Sequence, residues 1–145
     1  MAWARRPKQQ QSKALDYSFR LLGYRDRSKH EILTRLKKRQ YSQDEIDNTF
    51  DKLDKLNLVD DEKFTLAFVT SKTKKFWGPL RIKAKLLELG VSGKTIEETM
   101  KTVDWNTVIR HARVSLGTKL QGDQLKAKLF RLGFPYYLIN GDEND

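Results

Sequence analysis

An internal repeat constrains the fold of this chain more than any other feature of its sequence. The first copy contributes Ile32, Leu36, Tyr41, Ser42, Ile46 and Phe50. Fifty residues later the same pattern reads Ile82, Leu86, Val91, Ser92, Ile96 and Met100. A third copy aligns with the second after a shift of forty-three residues and contains Leu125, Leu129, Leu132, Gly133, Phe134 and Ile139. Periods of about 20 to 50 residues are typical of stacked modules. We therefore predict three copies of one structural unit.

The pattern within each copy favours helices. In the first helix, Leu15, Phe19 and Leu22 have the i, i+4, i+7 spacing of one helical face. Two capping boxes, Ser28 with Glu31 and Ser42 with Glu45, predict the starts of the next two helices. The other predicted helix boundaries are Gly23, Asn57, Asp60, Pro79, Gly90 and Ser92. The apolar face predicted for the fourth helix consists of Phe64, Ala67, Phe68 and Ser71. The expected fold is all-α.

Composition favours a divided core. Only 38% of the residues are apolar, whereas globular chains have about 45 to 50%. We therefore predict three tandem three-helix repeats in an elongated arrangement, over residues 14–58, 59–104 and 105–145, after a basic disordered tail at residues 1–13. The third repeat is incomplete, because its last helix begins near Tyr136 and has room for at most one turn before Asn140.

Charge points to an anionic partner. The chain has 29 Lys and Arg against 19 Asp and Glu, a net charge of +10, which attracts polyanions such as nucleic acids. The charge is uneven: residues 63–85 contain seven basic residues and no acid, and residues 44–62 contain eight acids and two lysines. We expect one surface that attracts phosphates and another that repels them.

Several chemistries are not expected. The sequence has no cysteine, and its two histidines, His30 and His111, lack a metal-ligand spacing. Asp60, Asp61 and Glu62 could suggest a nuclease centre, but three consecutive acids seldom converge on one ion and are favoured at a helix start. No glycine-rich phosphate loop, signal peptide or membrane-spanning apolar run is present. We predict a cytoplasmic, monomeric protein that is not an enzyme and has no cofactor and no metal.

Three segments resemble the RecX family of bacterial proteins, which consist of tandem three-helix repeats. They are Tyr24–Ser28, Leu58–Phe64 with the following Ala67–Val69, and Gly78–Ile82 with the end of its helix at Leu89–Val91. The resemblance covers about residues 14–139. It implies a modulator, usually an inhibitor, of the recombinase RecA, acting in recombination, DNA repair and the SOS response. Such a protein would lie in the groove of the RecA filament, touching RecA and single-stranded DNA, with double-stranded DNA as a further candidate partner, and would have no catalytic centre.

Cations recur at equivalent positions of the repeats. Arg35, Lys85 and Lys128 correspond, and so do Lys83 with Lys126 and Lys38 with Arg131. Any one of them could be an ordinary solvated residue, but as a set they favour a basic track. The predicted nucleic-acid or filament contacts are Arg25, Arg27, Arg35, Lys38, Lys72, Lys74, Lys75, Arg81, Lys83, Lys85, Lys126, Lys128 and Arg131. The predicted contacts to a protein partner are Asp47, Asp51 and Asp54.

Two aromatic residues follow the lysines at residues 72–75. Phe76 and Trp77 could stack on unpaired bases of single-stranded nucleic acid. An aromatic residue just before a helix start more often packs on that helix, and we favour packing for both.

Two other functions are compatible with small basic helical modules. A helix-turn-helix regulator of double-stranded DNA needs a basic recognition helix, but the third helix of the first repeat has a net charge of minus three and would be repelled by phosphates. A pure protein adaptor with an acidic partner is the third candidate. Binding to bare single-stranded DNA would distinguish the adaptor from the RecX-like function.

Overall fold

The structure, a computed structural model, describes residues 12–141 and is all-helical over this range, as predicted. Nine helices and no strand occur in these residues. The first set of three is α1 (Lys13–Tyr24), α2 (Lys29–Lys38) and α3 (Gln43–Lys55). The second set is α4 (Asp61–Lys74), α5 (Pro79–Glu88) and α6 (Gly93–Met100). The third set is α7 (Trp105–Leu116), α8 (Gly122–Arg131) and α9 (Tyr136–Ile139). None of these helices is long and apolar enough to cross a membrane.

The chain divides into two compact units, whose border falls within α4, between Phe64 and Thr65. The first unit has a core of Ala14, Leu15, Tyr17, Leu21, Ile32, Leu36, Ile46, Leu53 and Val59. A core in the second unit consists of Ile109, Ala112, Leu129, Leu132, Phe134, Leu138 and Ile139. Ile82, Leu86, Val91 and Ile96 are also buried. The predicted repeat borders at residues 58 and 104 stay predictions.

Side-chain caps explain where most helices begin. Both capping boxes are present: in the first, the Ser28 hydroxyl accepts from the Glu31 amide and the Glu31 carboxylate accepts from the Ser28 amide, each at 3.2 Å. The second, formed by Ser42 and Glu45, has the same geometry. The predicted starts at Ser92 and Pro79 are confirmed as well.

The repeat is visible in the backbone where α2, α5 and α8 end. Gln40, Gly90 and Gly133 occupy equivalent positions and have positive φ angles of 64°, 82° and 104°. At each turn the next residue, which is apolar, donates its amide to a carbonyl five residues earlier, at 3.1 to 3.3 Å. This left-handed turn satisfies carbonyls at the helix end. It confirms that the aligned positions share one local structure.

Two details of the predicted helices are wrong. Gly23 does not end α1, which continues to Tyr24; a glycine inside a helix costs only about 1 kcal/mol relative to alanine. In α4, Ala67 and Ser71 are exposed, whereas Thr65 and Val69 are buried together with the expected Phe64. The buried stripe of α4 thus contains the polar Thr65 beside Phe64 and Val69, with Phe68 half-buried.

The predicted N-terminal tail overlaps the start of α1. Ser12 accepts the Leu15 amide at 3.1 Å and caps the helix, which begins at Lys13. The rest of the predicted tail lies outside the described residues.

The last helix has one turn, as predicted, and two contacts explain its stability. Leu138 and Ile139 are buried in the core of the second unit. The Arg113 guanidinium of α7 donates from Nη2 to the carbonyl of Ile139 and, at 3.3 Å, to that of Leu138. Carbonyls at a helix end have no partner within the helix, and a cation is favourable there. Arg113 therefore stabilises a helix that would be marginal alone.

We expect Arg113→Ala to lower the free energy of unfolding by about 2 kcal/mol, because hydrogen bonds from a charged donor contribute about 1.5 to 3 kcal/mol. Urea unfolding followed by circular dichroism measures this difference. Arg110→Ala is the control, since Arg110 lies exposed on the same helix and should change stability by less than about 0.5 kcal/mol. Equal effects of the two substitutions would contradict a capping role.

Candidate nucleic-acid interface

Four cationic side chains lie close together where α4 ends and α5 begins, and we call Lys72, Lys75, Arg81 and Lys85 the basic cluster. Burial lowers the pKa of Lys72, and the charges of Lys75, Arg81 and Lys85 lower it further. Their mutual repulsion means that a bound anion would relieve an unfavourable interaction in the free protein. Only Lys85 has an acid beside it, Glu88 at 3.5 Å, among the ion pairs of the described residues. The cluster is thus suited to a polyanion.

Trp77 holds two members of the basic cluster. The Arg81 Cζ lies 3.8 Å and the Lys72 Nζ 4.7 Å from the centroid of the indole ring. Phe68 meets the same ring edge-on at 6.2 Å, and its own ring lies 5.3 Å from the Lys72 Nζ. These cation–π contacts orient charges that would otherwise move apart. Trp77 therefore contacts side chains of its own chain, in agreement with the packing interpretation.

Phe76 also packs within the protein, as expected. It is half-buried against the core formed by α7, α8 and α9. Its φ angle of 65° is unusual for a residue with a side chain. The turn that requires this angle is closed by the Trp77 amide, which donates to the Lys72 carbonyl at 3.0 Å. Packing of the Phe76 ring offsets the strain.

A contact between two backbones fixes the start of α5. Gly78 donates its amide to the Leu132 carbonyl at 2.6 Å, and Leu80 donates to the Gly133 carbonyl at 2.9 Å. No side chain fits between the two segments: a Cβ on Gly78 would lie 2.4 Å from the Gly133 carbonyl carbon, and one on Gly133 would lie 2.5 Å from the Arg81 Cβ. The positive end of α5 thus meets the negative end of α8, and Arg81 is held beside the turn that follows α8.

The remaining predicted cations of the second unit lie on the surface. Lys74, Lys83 and Arg131 are exposed, and Lys126 and Lys128 are half-buried. In the first unit, Arg35 and Lys38 are exposed on α2. The row of cations across all three repeats stays a prediction.

Arg25 and Arg27 make contacts within the first unit. Both pair with Glu31: the distance from its Oε2 is 2.5 Å to the Arg25 Nη2 and 3.6 Å to the Arg27 Nη1. The Arg27 Nε also donates to the Leu21 carbonyl at 3.1 Å, and its side chain is only 9% exposed. These bonds link the end of α1 to the start of α2, so Arg27 has a structural role, whereas its predicted role in binding stays untested.

Acidic side chains line α3. Asp47, Asp51 and Asp54 are exposed, and their spacing places them on one helical face. Asp47 accepts from the Gln43 amide group at 2.8 Å, and Asp54 pairs with the Lys29 Nζ at 3.5 Å. This acidic face, defined by the three aspartates, would repel phosphates and suits a basic protein surface.

Of the acids at residues 60–62, Asp60 caps α4, as the sequence favoured, and Asp61 accepts from the Lys29 amide in the first turn of α2 at 3.0 Å. The Asp60 carboxylate accepts from the amides of Glu62 and Lys63 at 3.0 and 3.2 Å. Within residues 12–141, no group of three or more His, Asp or Glu side chains could hold a metal ion.

The sequence pattern missed two contributors to the basic cluster. Phe68 was assigned to an apolar stripe, although its i, i+4 spacing from Lys72 could have indicated their contact. The contact of Gly78 with Gly133 joins residues far apart in sequence, and no local signal predicts it. Both act by positioning the cations.

Comparison with known proteins identifies the relatives of this chain. The family model described as "RecX, first three-helix domain" matches residues 14–53, and the one described as "RecX, second three-helix domain" matches residues 60–100. The regulatory protein RecX of Chlorobium phaeobacteroides is 37% identical over 134 residues, which cover 88% of this chain and 89% of that protein. The regulatory protein RecX of Halalkalibacterium halodurans is 35% identical over 128 residues, covering 82% of this chain but 47% of the relative. The chain therefore spans about half the length of the second relative.

Two solved structures share the fold. The crystal structure of RecX from Lactobacillus salivarius has a TM-score of 0.79 at 22% identity and covers 91% of this chain and 93% of that one. A second crystal structure of a regulatory protein RecX has a TM-score of 0.75 at 17% identity, covering 92% and 72% of the two chains. The predicted all-α fold of tandem three-helix repeats is thus confirmed.

Proposed function

Because the chain belongs to the RecX family of regulatory proteins, we propose that it inhibits the recombinase RecA by binding in the groove of the RecA filament on single-stranded DNA. In this proposal the protein acts by binding, without catalysis, as a monomer in the cytoplasm. The observation that carries it is the basic cluster, in which Trp77 holds Lys72 and Arg81 within a group of like charges.

The basic cluster supports contact with the phosphates of the DNA. Each cation that neutralises a phosphate releases counterions, so binding to bare DNA weakens as salt is added. Repulsion within the cluster falls when a phosphate binds, which adds to the affinity. Filament affinity should depend less on salt, because contacts with RecA would add apolar surface that counterions do not screen.

The acidic face of α3 supports a contact with RecA. Its three aspartates are unfavourable near phosphates but complement a basic protein surface. A protein that binds DNA through one surface and RecA through another would contact both components of the filament. Such a protein would bind the filament more tightly than it binds RecA or DNA alone.

The direct test is the ATPase activity of RecA on single-stranded DNA with this protein titrated in. We expect inhibition at less than one molecule per RecA, because a protein lying along the groove blocks filament growth without saturating every subunit. Unchanged ATPase and strand-exchange activities at equimolar protein would refute the proposal.

The contact with RecA is tested by reversing charge on the acidic face. We expect the double substitution Asp47→Lys with Asp51→Lys to leave binding to bare single-stranded DNA equal or tighter, and to weaken RecA inhibition several-fold. Asp54 is kept because it pairs with Lys29. Titrations against labelled DNA and preformed filaments, at two salt concentrations, measure the two affinities.

A matched control is Glu97→Lys with Glu98→Lys, which makes the same charge change at exposed positions of α6. It should tighten DNA binding without reducing inhibition. If the double substitution on α3 weakened both affinities in parallel, the acidic face would only support the fold.

A further inference from the structure

An exposed pair of stacked aromatic rings lies at the end of the third repeat. The rings of Phe130, in the last turn of α8, and Tyr136, at the start of α9, have centroids 5.2 Å apart and an interplanar angle of 22°. The two residues are 50% and 65% exposed. The next residue, Tyr137, is 73% exposed. Large aromatic side chains with this much exposure contribute little to the core.

The backbone holds this pair in place. Gly133 turns the chain after α8 with its positive φ angle, and the buried Phe134, Leu138 and Ile139 anchor the following segment. Tyr136 accepts the Asn140 amide at its carbonyl, at 2.9 Å, which closes the turn of α9. The inner residues of α9 are thus fixed in the core while Tyr136 and Tyr137 face solvent. The rings are presented on a rigid support.

Two cations lie close to Phe130 along α8. Lys126 lies one helical turn before Phe130 on the same face of α8, and Arg131 follows Phe130 directly. Within α8, three cations accompany a single acid, Asp123. The turn beside the pair is also the one against which Arg81 of the basic cluster is held. Flat apolar rings next to phosphate-binding charges are typical of single-strand binding sites.

We propose that Phe130 and Tyr136 form a stacking platform for an unpaired base of single-stranded nucleic acid. The outer face of the ring pair receives the base, and Lys126 and Arg131 contact the flanking phosphates. The proposal deepens the proposed function by giving the third repeat a base-dependent contact, and it rests on that function only for the choice of single-stranded DNA as ligand. Because every base has a flat π face, the site is indifferent to sequence.

A protein partner fits this surface less well. Aromatic residues that dominate protein interfaces lie within a ring of contacts that excludes water. Here the sequence next to Phe130 contains the cations Lys126 and Arg131, and the near-parallel ring planes already have the geometry that a stacked base would continue.

The test measures binding to bare DNA, without RecA. The probes are a labelled thymidine oligonucleotide of about 16 nucleotides and a matched oligonucleotide whose central sugars lack bases. We expect the unmodified protein to prefer the thymidine oligonucleotide. Phe130→Ala and Tyr136→Ala should each weaken its binding by about 5- to 100-fold, while affinity for the abasic oligonucleotide and the salt dependence stay unchanged, since no phosphate contact is removed.

Three further variants separate stacking from other effects. Tyr136→Phe keeps the ring and should bind as the unmodified protein does. Phe130→Leu keeps apolar volume without the ring and should lose the base preference while remaining folded by circular dichroism. Tyr24→Ala removes an aromatic residue that is 85% exposed elsewhere and should have no effect.

Three outcomes would overturn the platform. The unmodified protein could show no preference for the oligonucleotide with bases, or the alanine variants could lose equal affinity for both oligonucleotides. The third outcome is that the alanine variants lose RecA inhibition but keep the preference for bases. The last result would assign the rings to a protein contact. RecA is absent from the oligonucleotide assay. If the unmodified protein did not inhibit RecA, the proposed function would be refuted, but the preference for the oligonucleotide with bases would still test the platform.

Discussion

Gly133→Ala is expected to lower the free energy of unfolding of the second unit by about 3 kcal/mol, since overpacking and a strained φ angle each cost about 1 to 3 kcal/mol. The added Cβ would lie 2.5 Å from the Arg81 Cβ and 2.6 Å from its amide nitrogen. The φ angle of 104° also suits glycine alone. Relief requires α5 to move away from the end of α8, which breaks the bond from the Leu80 amide to the Gly133 carbonyl.

A substitution at Gly78, on the other side of the contact with Gly133, is expected to have a smaller effect. Gly78→Ala introduces an overlap of similar size but at an ordinary negative φ angle of −85°, so we expect a smaller loss of about 2 kcal/mol. Gly93→Ala is the control in the same unit, because a Cβ there meets nothing within 4 Å. In chemical unfolding, the loss of free energy of unfolding should be largest for Gly133→Ala, smaller for Gly78→Ala and smallest for Gly93→Ala. If Gly133→Ala were as stable as Gly93→Ala, α5 and α8 would not be in backbone contact.

Reversing three cations of α5 is expected to have the largest effect on binding. The triple variant Arg81→Glu, Lys83→Glu, Lys85→Glu should weaken binding to single-stranded DNA by at least about 100-fold, because each charged hydrogen bond contributes about 1.5 to 3 kcal/mol. The slope of log affinity against log salt concentration should decrease in magnitude by about 3, because three phosphate contacts are lost. Filament binding and RecA inhibition should fall as well. Fluorescence anisotropy and the ATPase titration measure these changes.

A control variant with the same net charge distinguishes the effect of these positions from the effect of net charge. The triple variant Lys94→Glu, Lys101→Glu, Lys119→Glu alters exposed lysines of the same unit and should weaken DNA binding far less. Circular dichroism establishes that both proteins are folded. Equal losses in the two would mean that DNA responds only to overall charge and that the basic cluster is not a site.

The helices could be predicted from sequence wherever a local rule applied. Serine and aspartate caps, Pro79 at a first turn and the glycine turns at Gly90 and Gly133 are short-range features and were confirmed, whereas the expected stop at Gly23 was not. The apolar face of α4 was partly wrong because the polar Thr65 is buried and Ala67 is exposed, and the periodicity of apolar residues does not indicate either. The contact of Arg113 with the end of α9 spans 26 residues and likewise has no local signal.

The cationic residues of the candidate site could be predicted from the sequence, but the contacts that orient them could not. The run of lysines before Trp77 and the repeated cations on α5 were evident from the sequence. That Trp77 would orient Lys72 and Arg81, and that Arg27 would be held by Glu31 and the Leu21 carbonyl, depends on side-chain directions that spacing does not determine. The same holds for the stacking of Phe130 on Tyr136, which requires the turn at Gly133.

The backbone contact between Gly78 and Gly133 affects how deletion mapping should be designed. A fragment that stops before Leu132 would leave the amides of Gly78 and Leu80 without their acceptors and free the segment that holds Arg81. Loss of DNA binding in such a fragment would therefore not locate the binding residues in the deleted part. Point substitutions that keep the full chain, such as those on α5 and at Phe130, assign the contributions of the repeats without this ambiguity.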